Sequence, residues 1–398
     1  VPHLRFPEFS GEWEKYRLCD VASIVGRIGF RGYTTNDIVT KGKGAIALSP
    51  TNIENNKLTY DKDNTYISFY KYEESPEIMI KQGDVIFVKT GSTVGKVAYV
   101  DKLICKTTLN PQVVVLKDIQ CDNYLLSVLM STNKFQNAIR KIIVGGAVPT
   151  LSQAAMGDIV VTMPQATEQE KLSKFISLLD DRIATQNKII EKLQSLIKGI
   201  VDELMTVLLK GELYPFASLY IKAGEGGTPT TSVSKYYSGG SIPFIKIDDL
   251  SQKYLTSNKD FITELGMQKS SAWLIPSQSV IYSNGATIGA ISINKYPVCT
   301  KQGILGIVPN INVNVEYLYL LMSSSYFSKE VGRIITEGTM KTAYLKDINH
   351  IKSPLPSKAQ QQNITNLTSS IEKKLSMEQN CLKFLKLQKQ HLLRTMFI

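Results

Sequence analysis

The chain has 398 residues, with 46 Lys and Arg against 35 Asp and Glu for a formal net charge of +11, and 43% apolar residues. That length exceeds one ordinary hydrophobic core and implies two or three domains. Five scattered cysteines with no CxxC pair argue against a disulfide framework or a zinc site, three histidines leave little for a His-based triad, and no run of about 18 apolar residues is present to cross a bilayer.

The opening residues, Val1 to Gly11, lack the apolar stretch of a signal peptide, so the cytoplasm is the expected compartment and no membrane partner is expected. Residues 1–164 then read as a mixed, strand-rich domain. Tyr66–Tyr70, Val85–Val88, Val97–Val100 and Val113–Leu116 are β-branched or aromatic runs between turn residues, and a single helix is expected over Tyr124–Ile139. Met163-Pro164 stops the domain. Residues 165–213 form a central helix, entered through a Thr167-x-x-Glu170 capping box and left through Lys210-Gly211 before Pro215. At 1.5 Å per residue it is roughly 60 Å long, enough to separate two domains.

The apolar residues of that helix step by threes and fours. Leu179, Ile183, Ile190, Leu193, Ile197, Ile200, Leu204 and Val207 make a heptad seam with Gln186 as its polar member, the spacing that keeps one stripe against a partner helix. Residues 214–356 form a second mixed domain, closed by Pro354-Leu355-Pro356, and a C-terminal helix over 357–398 starts from Ser357-x-x-Gln360. Its seam is the first one moved by 192 positions: Ile371, Leu375, Leu382, Leu385 and Leu392 stand for Leu179, Ile183, Ile190, Leu193 and Ile200, and Glu378 for Gln186. The domains echo each other too. Ile86–Gly95 aligns with Val280–Gly289, Tyr124-Leu125 with Tyr317-Leu318, and Gly146 with Gly338. The order is domain, helix, domain, helix, a tandem repeat. The seam suits an internal antiparallel pair or a homodimer. Duplication within one chain favours the internal pair, because effective concentration does.

An internal pair would put one domain at each end of a rod, related by an approximate two-fold, as suits the reading of two stretches of one duplex. Several features together resemble the specificity (S) subunit of type I restriction-modification systems. They are the heptad helices after Met-Pro and Leu-Pro, Gly226-Gly227-Thr228-Pro229 with Ile242-Pro243-Phe244-Ile245 and Asp249-Leu250, the paired Gly91-x-x-x-Gly95 and Gly285-x-x-x-Gly289 turns, and Arg5-Phe6-Pro7-Glu8-Phe9 with Trp13. The first copy departs from the second, having Gly26-Arg27-Ile28-Gly29 where the second has Gly-Gly-Thr-Pro. The resemblance implies an α+β chain with two mixed, strand-rich target-recognition domains separated by two long antiparallel coiled-coil helices in a pseudo-two-fold internal repeat. It also implies a bipartite, asymmetric site on double-stranded DNA, docking of two methyltransferase (M) subunits and addition of restriction (R) subunits. Cofactors would belong to those partners, which would use S-adenosylmethionine, ATP and Mg2+; none is expected in this chain.

No motif points to catalysis here. Gly91–Lys96 has three residues between its glycines rather than a phosphate loop's four, and Val97 follows the lysine, so a tight strand-to-strand turn is expected. Asn110-Pro111-Gln112 lacks the second proline and the aromatic of an amino-methyltransferase motif and reads as a β-turn. The chain is therefore expected to be no enzyme and to hold no metal. Its candidate DNA contacts are basic and polar loop residues: Arg27, Arg31, Lys41, Lys43, Lys89, Thr90 and Lys96 in the first domain, and Lys235, Lys246, Ser283, Asn284, Lys301 and Lys341 in the second. The competing class is a structural adaptor whose coiled coil joins two protein-binding domains without DNA contact.

Overall fold

The computed structural model describes residues 2–60, 63–143, 148–285, 287–335 and 341–397; the aligned Gly146 and Gly338, and Ala286 in the second glycine turn, lie outside the described residues. The chain divides into two compact units, Val1–Gln186 with Cys381–Ile398, and Asn187–Asn380. Each unit thus owns one strand-rich domain together with part of a central helix, Ala166–Leu208, and part of a C-terminal helix, Lys358–Met396. The division runs through both helices rather than at their ends.

In the first unit one sheet has the order Ser23–Gly26, Val113–Lys117, Val85–Val88, Val97–Tyr99, Lys57–Leu58, Ile53–Glu54. Val113–Leu116 is a continuous apolar run, all four residues fully buried, because both of its faces are covered. Val114 and Leu116 join a cluster with Leu125, Leu126 and Phe135, while Val113 and Val115 join another with Ile46 and Leu48. Ile46 and Leu48 belong to a second sheet, in which Gly44–Leu48 pairs parallel with Thr107–Leu109 and antiparallel with Thr65–Ser68.

The second unit repeats this plan. Its larger sheet runs Tyr220–Glu225, Ile304–Pro309, Val280–Ser283, Ile291–Asn294, Tyr254–Leu255, and in its smaller sheet Ile242–Ile245 pairs parallel with Cys299–Thr300 and antiparallel with Asp260–Ile262. Strand order and directions match those of the first unit, whose two sheets each carry one further edge strand, Ile53–Glu54 and Ile38–Val39. The duplication thus extends from turn motifs to topology.

Three local expectations are corrected. The helix over Tyr124–Ile139 is two helices, Asn123–Ser131 and Asn133–Ile142, broken at Thr132, which is extended (φ −70, ψ 155) with its hydroxyl donating to the Leu129 carbonyl at 2.6 Å. A hydroxyl that satisfies the last turn's carbonyl substitutes for helix continuation. Ser324 makes the same break between Val315–Ser323 and Ser325–Ile334. The strand expected over Tyr66–Tyr70 stops at Ser68, whose hydroxyl accepts the Lys71 N–H and starts the short helix Phe69–Glu73.

The third concerns the helix starts. Ser357 and Gln360 form the expected capping box, Ser357 N–H to Gln360 Oε1 at 3.0 Å and Gln360 N–H to Ser357 Oγ at 3.3 Å. Thr167, however, already lies within the central helix, which begins at Ala166. The residues equivalent to Ser357 and Gln360 are Gln165 and Glu168. Glu168 is turned inward and carries an ion pair instead.

The seam is seen unit by unit. In the first, Leu172 and Ile176 share a cluster with Leu392, Leu393, Met396 and Phe397, and further along Asp180 meets Lys389, so rising numbers on one helix meet falling numbers on the other: the helices run antiparallel there. In the second, Ile197, Val201, Leu204, Met205 and Leu208 share a cluster with Ile364. Ile190 and Leu385 are buried, and Leu179, Ile183, Leu193, Ile197, Ile200, Leu204, Ile371, Leu375, Leu382 and Leu392 are half-buried. Val207 departs from the expected seam at 62% exposed, while Val201 and Met205 are buried. A straight helix at 3.6 residues per turn drifts off a strict heptad, and here the inner stripe follows the drift.

Candidate nucleic-acid interface

The glycine turns are strand-to-strand turns, as their spacing implied. Gly91–Gly95 joins the antiparallel strands Val85–Val88 and Val97–Tyr99, with φ of 107° at Gly91 and 98° at Gly95, a region open to glycine at no steric cost. Gly289 (φ 100°) closes the second turn, and Gly285 packs so near Gly303 that a Cβ would lie 3.3 Å from its Cα. Asn110-Pro111-Gln112 is a turn as well, with Asn110 Oδ1 accepting the Gln112 N–H at 2.9 Å and the Asn110 carbonyl accepting the Val113 N–H at 3.2 Å.

Around each turn, backbone bonds draw in the same three segments. In the first unit the Gln112 carbonyl accepts the N–H groups of Lys89 and Thr90, Leu151 N–H donates to the Lys89 carbonyl, and Asn110 N–H donates to the Leu48 carbonyl at the end of the parallel strand pair. In the second the Gly303 carbonyl accepts the N–H groups of Asn284 and Gly285, Ala343 N–H donates to the Asn284 carbonyl, and Lys301 N–H donates to the Ile245 carbonyl. One frame is thus built twice. In the second unit it brings Lys246, Lys301 and Lys341, all exposed, to the ends of the segments that surround the Gly285–Gly289 turn. Lys246 also pairs with Asp260 at 2.9 Å. In the first unit Lys89 and Thr90 are half-buried beside the turn and Lys96, exposed, reaches the Ile53 carbonyl at 3.4 Å.

The remaining sequence candidates fall elsewhere. Lys41 and Lys43 are exposed on a turn that enters Gly44–Leu48, at the opposite end of that strand, and Lys235 is exposed beside Thr263. Three candidates are corrected by burial. Arg27 is 6% exposed and donates to the Leu109 carbonyl at 2.8 Å, Thr108 Oγ1 at 3.1 Å and the Arg31 carbonyl at 3.2 Å. Burial pulls its guanidinium below the ordinary arginine range, yet the group remains a cation whose donors serve the interior. Ser283 and Asn284 are fully buried beneath the turn, and Asn284 Nδ2 donates to the Ala343 carbonyl at 3.1 Å. They hold the frame rather than face solvent. Arg31 pairs with Glu77 at 3.6 Å.

Sequence reasoning missed why the Gly-Gly-Thr-Pro motif belongs to this frame. A Cβ on Gly226 would lie 2.1 Å from the Thr300 carbonyl oxygen, one on Gly227 2.5 Å from the Ala272 nitrogen, and Thr228 Oγ1 accepts the Gln302 N–H at 3.3 Å. The glycines let one backbone lie against another, directly beneath Lys301. Among the described residues no group of three His, Cys, Asp or Glu could hold a metal ion, and no helix is long and apolar enough to cross a membrane.

Residues 10–195 and 221–386 match the type I restriction modification DNA specificity domain. The chain belongs to this family. The MjaIX specificity subunit of Methanocaldococcus jannaschii is 31% identical over 147 residues, which cover 36% of this chain and 34% of that protein. The HindI specificity subunit of Haemophilus influenzae is 22% identical over 409 residues, covering 82% of this chain and 86% of the relative. The chain thus spans about a third of the length of the first and most of the second. In fold it is similar to the type I restriction-modification S subunit of M. genitalium, with a TM-score of 0.57, 15% identity, and coverage of 100% of this chain and 99% of that one.

Proposed function

We propose that this chain is the DNA-specificity subunit of a type I restriction-modification complex, reading a bipartite, asymmetric site with its two recognition domains and supplying no catalytic group. The observation that carries this reading is the turn frame built twice from the same backbone bonds but dressed with unlike side chains, Lys89, Thr90 and Lys96 in one copy and Lys246, Lys301 and Lys341 in the other. Equal frames with unequal side chains suit two words of different sequence. Lysines there give phosphate affinity, and neighbouring polar groups can discriminate bases. Two M subunits would dock on the helices, where each unit exposes apolar side chains that water does not favour, Leu178 and Phe384 in the first and Leu196 and Met377 in the second, 50–71% exposed. R subunits would join that assembly, and S-adenosylmethionine, ATP and Mg2+ would be bound by the partners.

Selection from a random duplex library, with the full chain alone and with its M subunit, is expected to enrich two short words at one separation. Enrichment of one word or none would instead favour the protein-binding adaptor. Replacing Lys301 and Lys341 together by Ala should weaken binding several-fold and lower the slope of log affinity against log salt by about 2, one unit for each phosphate no longer neutralised. The pair Lys41→Ala and Lys43→Ala, at the far end of its strand, should leave that slope nearly unchanged. If the far pair carries the salt dependence and the turn pair does not, the interface lies on the wrong end of the domain.

A further inference from the structure

We infer that Asp180 and Glu372 are positioning residues, each fixing the recognition domain of its own unit on the helix that carries it. The two occupy equivalent positions, 192 apart. Each follows, on its helix, a polar attachment that also recurs 192 residues apart, Gln169 and Gln361; Glu168 with Arg5 and Asp202 with Ser325 on the central helix have no such repeat partner.

The first attachment lies at the helix start. Gln169 Oε1 accepts the N–H of Asp122, the cap of Asn123–Ser131, at 3.0 Å, while its Nε2 donates to the Pro164 carbonyl at 2.8 Å. Gln361 makes the same two bonds, accepting the N–H of Asn314, the cap of Val315–Ser323, at 2.7 Å and donating to Pro356 at 2.8 Å. Eleven residues on, three turns and about 16 Å along the same face, comes the second. Tyr124 OH donates to Asp180 Oδ2 at 2.7 Å, and Lys389 pairs with the other oxygen. In the second unit Lys253 bridges Glu372 at 2.6 Å and Glu316 at 2.7 Å, and lies over the rings of Tyr254 and Tyr319. Glu316 stands where Tyr124 stands in the first copy: the helix caps Asp122 and Asn314 are 192 apart, so Tyr317 matches Leu125, a correction by one residue to the alignment of Tyr124 with Tyr317.

The partners differ while the place does not. In one unit the lysine comes from the C-terminal helix, in the other from the recognition domain. Packing alone would not keep a carboxylate at this position through such a change of partner, so the retained requirement is the attachment. Asp180 and Glu372 are 12% and 18% exposed, where ion pairs compete with little water. Leu172 and Ile176 pack into the core of the first domain, as Ile364 does in the second, but apolar contacts are non-directional, and one polar attachment beside the Met163-Pro164 or Leu355-Pro356 junction would let the domain turn slightly about it. A second, three turns away, removes the turn. Since both domains are read above as DNA readers, the inference rests on that reading for its effect on DNA, though not for its geometry.

The test uses the full chain with exposed Cys19 and Cys105 changed to serine and spin labels at Ser92→Cys and Glu170→Cys, both within the first unit. Double electron–electron resonance should give a narrow distance distribution in the parent, one at least twice as broad in Asp180→Ala, and recovery in Asp180→Glu. Should Asp180→Ala lose its thermal transition, Asp180→Asn, which keeps an acceptor for Tyr124 but no charge for Lys389, is expected to broaden it partly. An unchanged width in a folded variant overturns the inference. With duplexes of varied separation, Asp180→Ala with Glu372→Ala should keep both words, tolerate separations one base pair to either side and bind the parent duplex about tenfold more weakly, because a looser link lowers effective concentration. Full affinity with unchanged spacing overturns it as well. A parent chain that selects no words refutes the DNA reading, and the label distances then decide the inference by themselves.

Discussion

Changing Arg5 to Ala should destabilise the first unit by about 3–5 kcal/mol, the cost of leaving a buried charge without its partner. Glu168 is 1% exposed in the first turn of the central helix, and Arg5 grips it at 2.7 Å and 2.6 Å through Nε and Nη2. Two more of the five arginine donors are used on the Gly11 and Ser10 carbonyls, so the guanidinium also closes the loop that follows it. The hydrogen-bonded carboxylate raises the arginine pKa above its ordinary value, so Arg5 stays charged at any working pH. Arg5→Lys keeps the charge but loses the planar fork, and should recover only part of the loss. Replacing the pair together, Arg5→Met with Glu168→Leu, removes both charges and should lie much nearer the parent than Arg5→Ala. Urea unfolding followed by a probe within residues 1–186 measures all three. A loss below about 1 kcal/mol in Arg5→Ala would mean that water or another cation reaches Glu168, and the stranded-charge account would fail.

This contact also shows what a sequence can and cannot display. Arg5-Phe6-Pro7-Glu8-Phe9 stands out as a motif, but the nearby Ser10 and Gly11 carbonyls would accept from any donor and do not by themselves call for an arginine. Its partner lies 163 positions away, and spacing carries no information at that range. The heptad seam is the opposite case. A helix meets its partner at a fixed local period, so residues three and four away assign Ile190 and Leu385 to the inside. The 192-residue repeat extends that legibility from helices to domains, since one fold repeated keeps its glycine turns in step. Ser283 and Asn284 mislead for a related reason. They flank a turn and are polar, which usually means exposure, yet it is Thr287 and Gly289 that are exposed, and the approach to the turn lies beneath the segment that contains Ala343. The capping box at Thr167 fails more narrowly. Its pattern is real, but Glu168 is held inward by Arg5, and the helix has already begun.

The Gly226→Ala variant should have a local fold effect and a large functional one. The added methyl would lie 2.1 Å from the Thr300 carbonyl oxygen and 2.2 Å from its Oγ1, while Thr300 itself is fully buried. Neither atom is the free end of a flexible side chain. The carbonyl is backbone, and the hydroxyl donates to the Ile304 carbonyl at 3.1 Å. The two backbones must therefore move apart, at a cost of about 1–3 kcal/mol typical of an overfilled interior. The shift falls on Cys299–Thr300 and the residues that follow, Lys301, Gln302 and Gly303, whose backbone bonds to Ile245, Thr228 and Asn284 build the second turn frame. A displacement of about 1 Å there, on the order that misplaces a functional group, moves every side chain the frame presents. Library selection with Gly226→Ala should accordingly lose the second word while keeping the first, because the equivalent frame in the first unit leans on the Arg27 guanidinium at the Leu109 carbonyl and contains no counterpart of the crowded glycine. Arg27→Ala should do the reverse, losing the first word and keeping the second. Loss of both words from either variant would mean that the two frames do not read separately. Retention of both by a Gly226→Ala chain that has kept its thermal transition would place the reading surface away from the turns altogether.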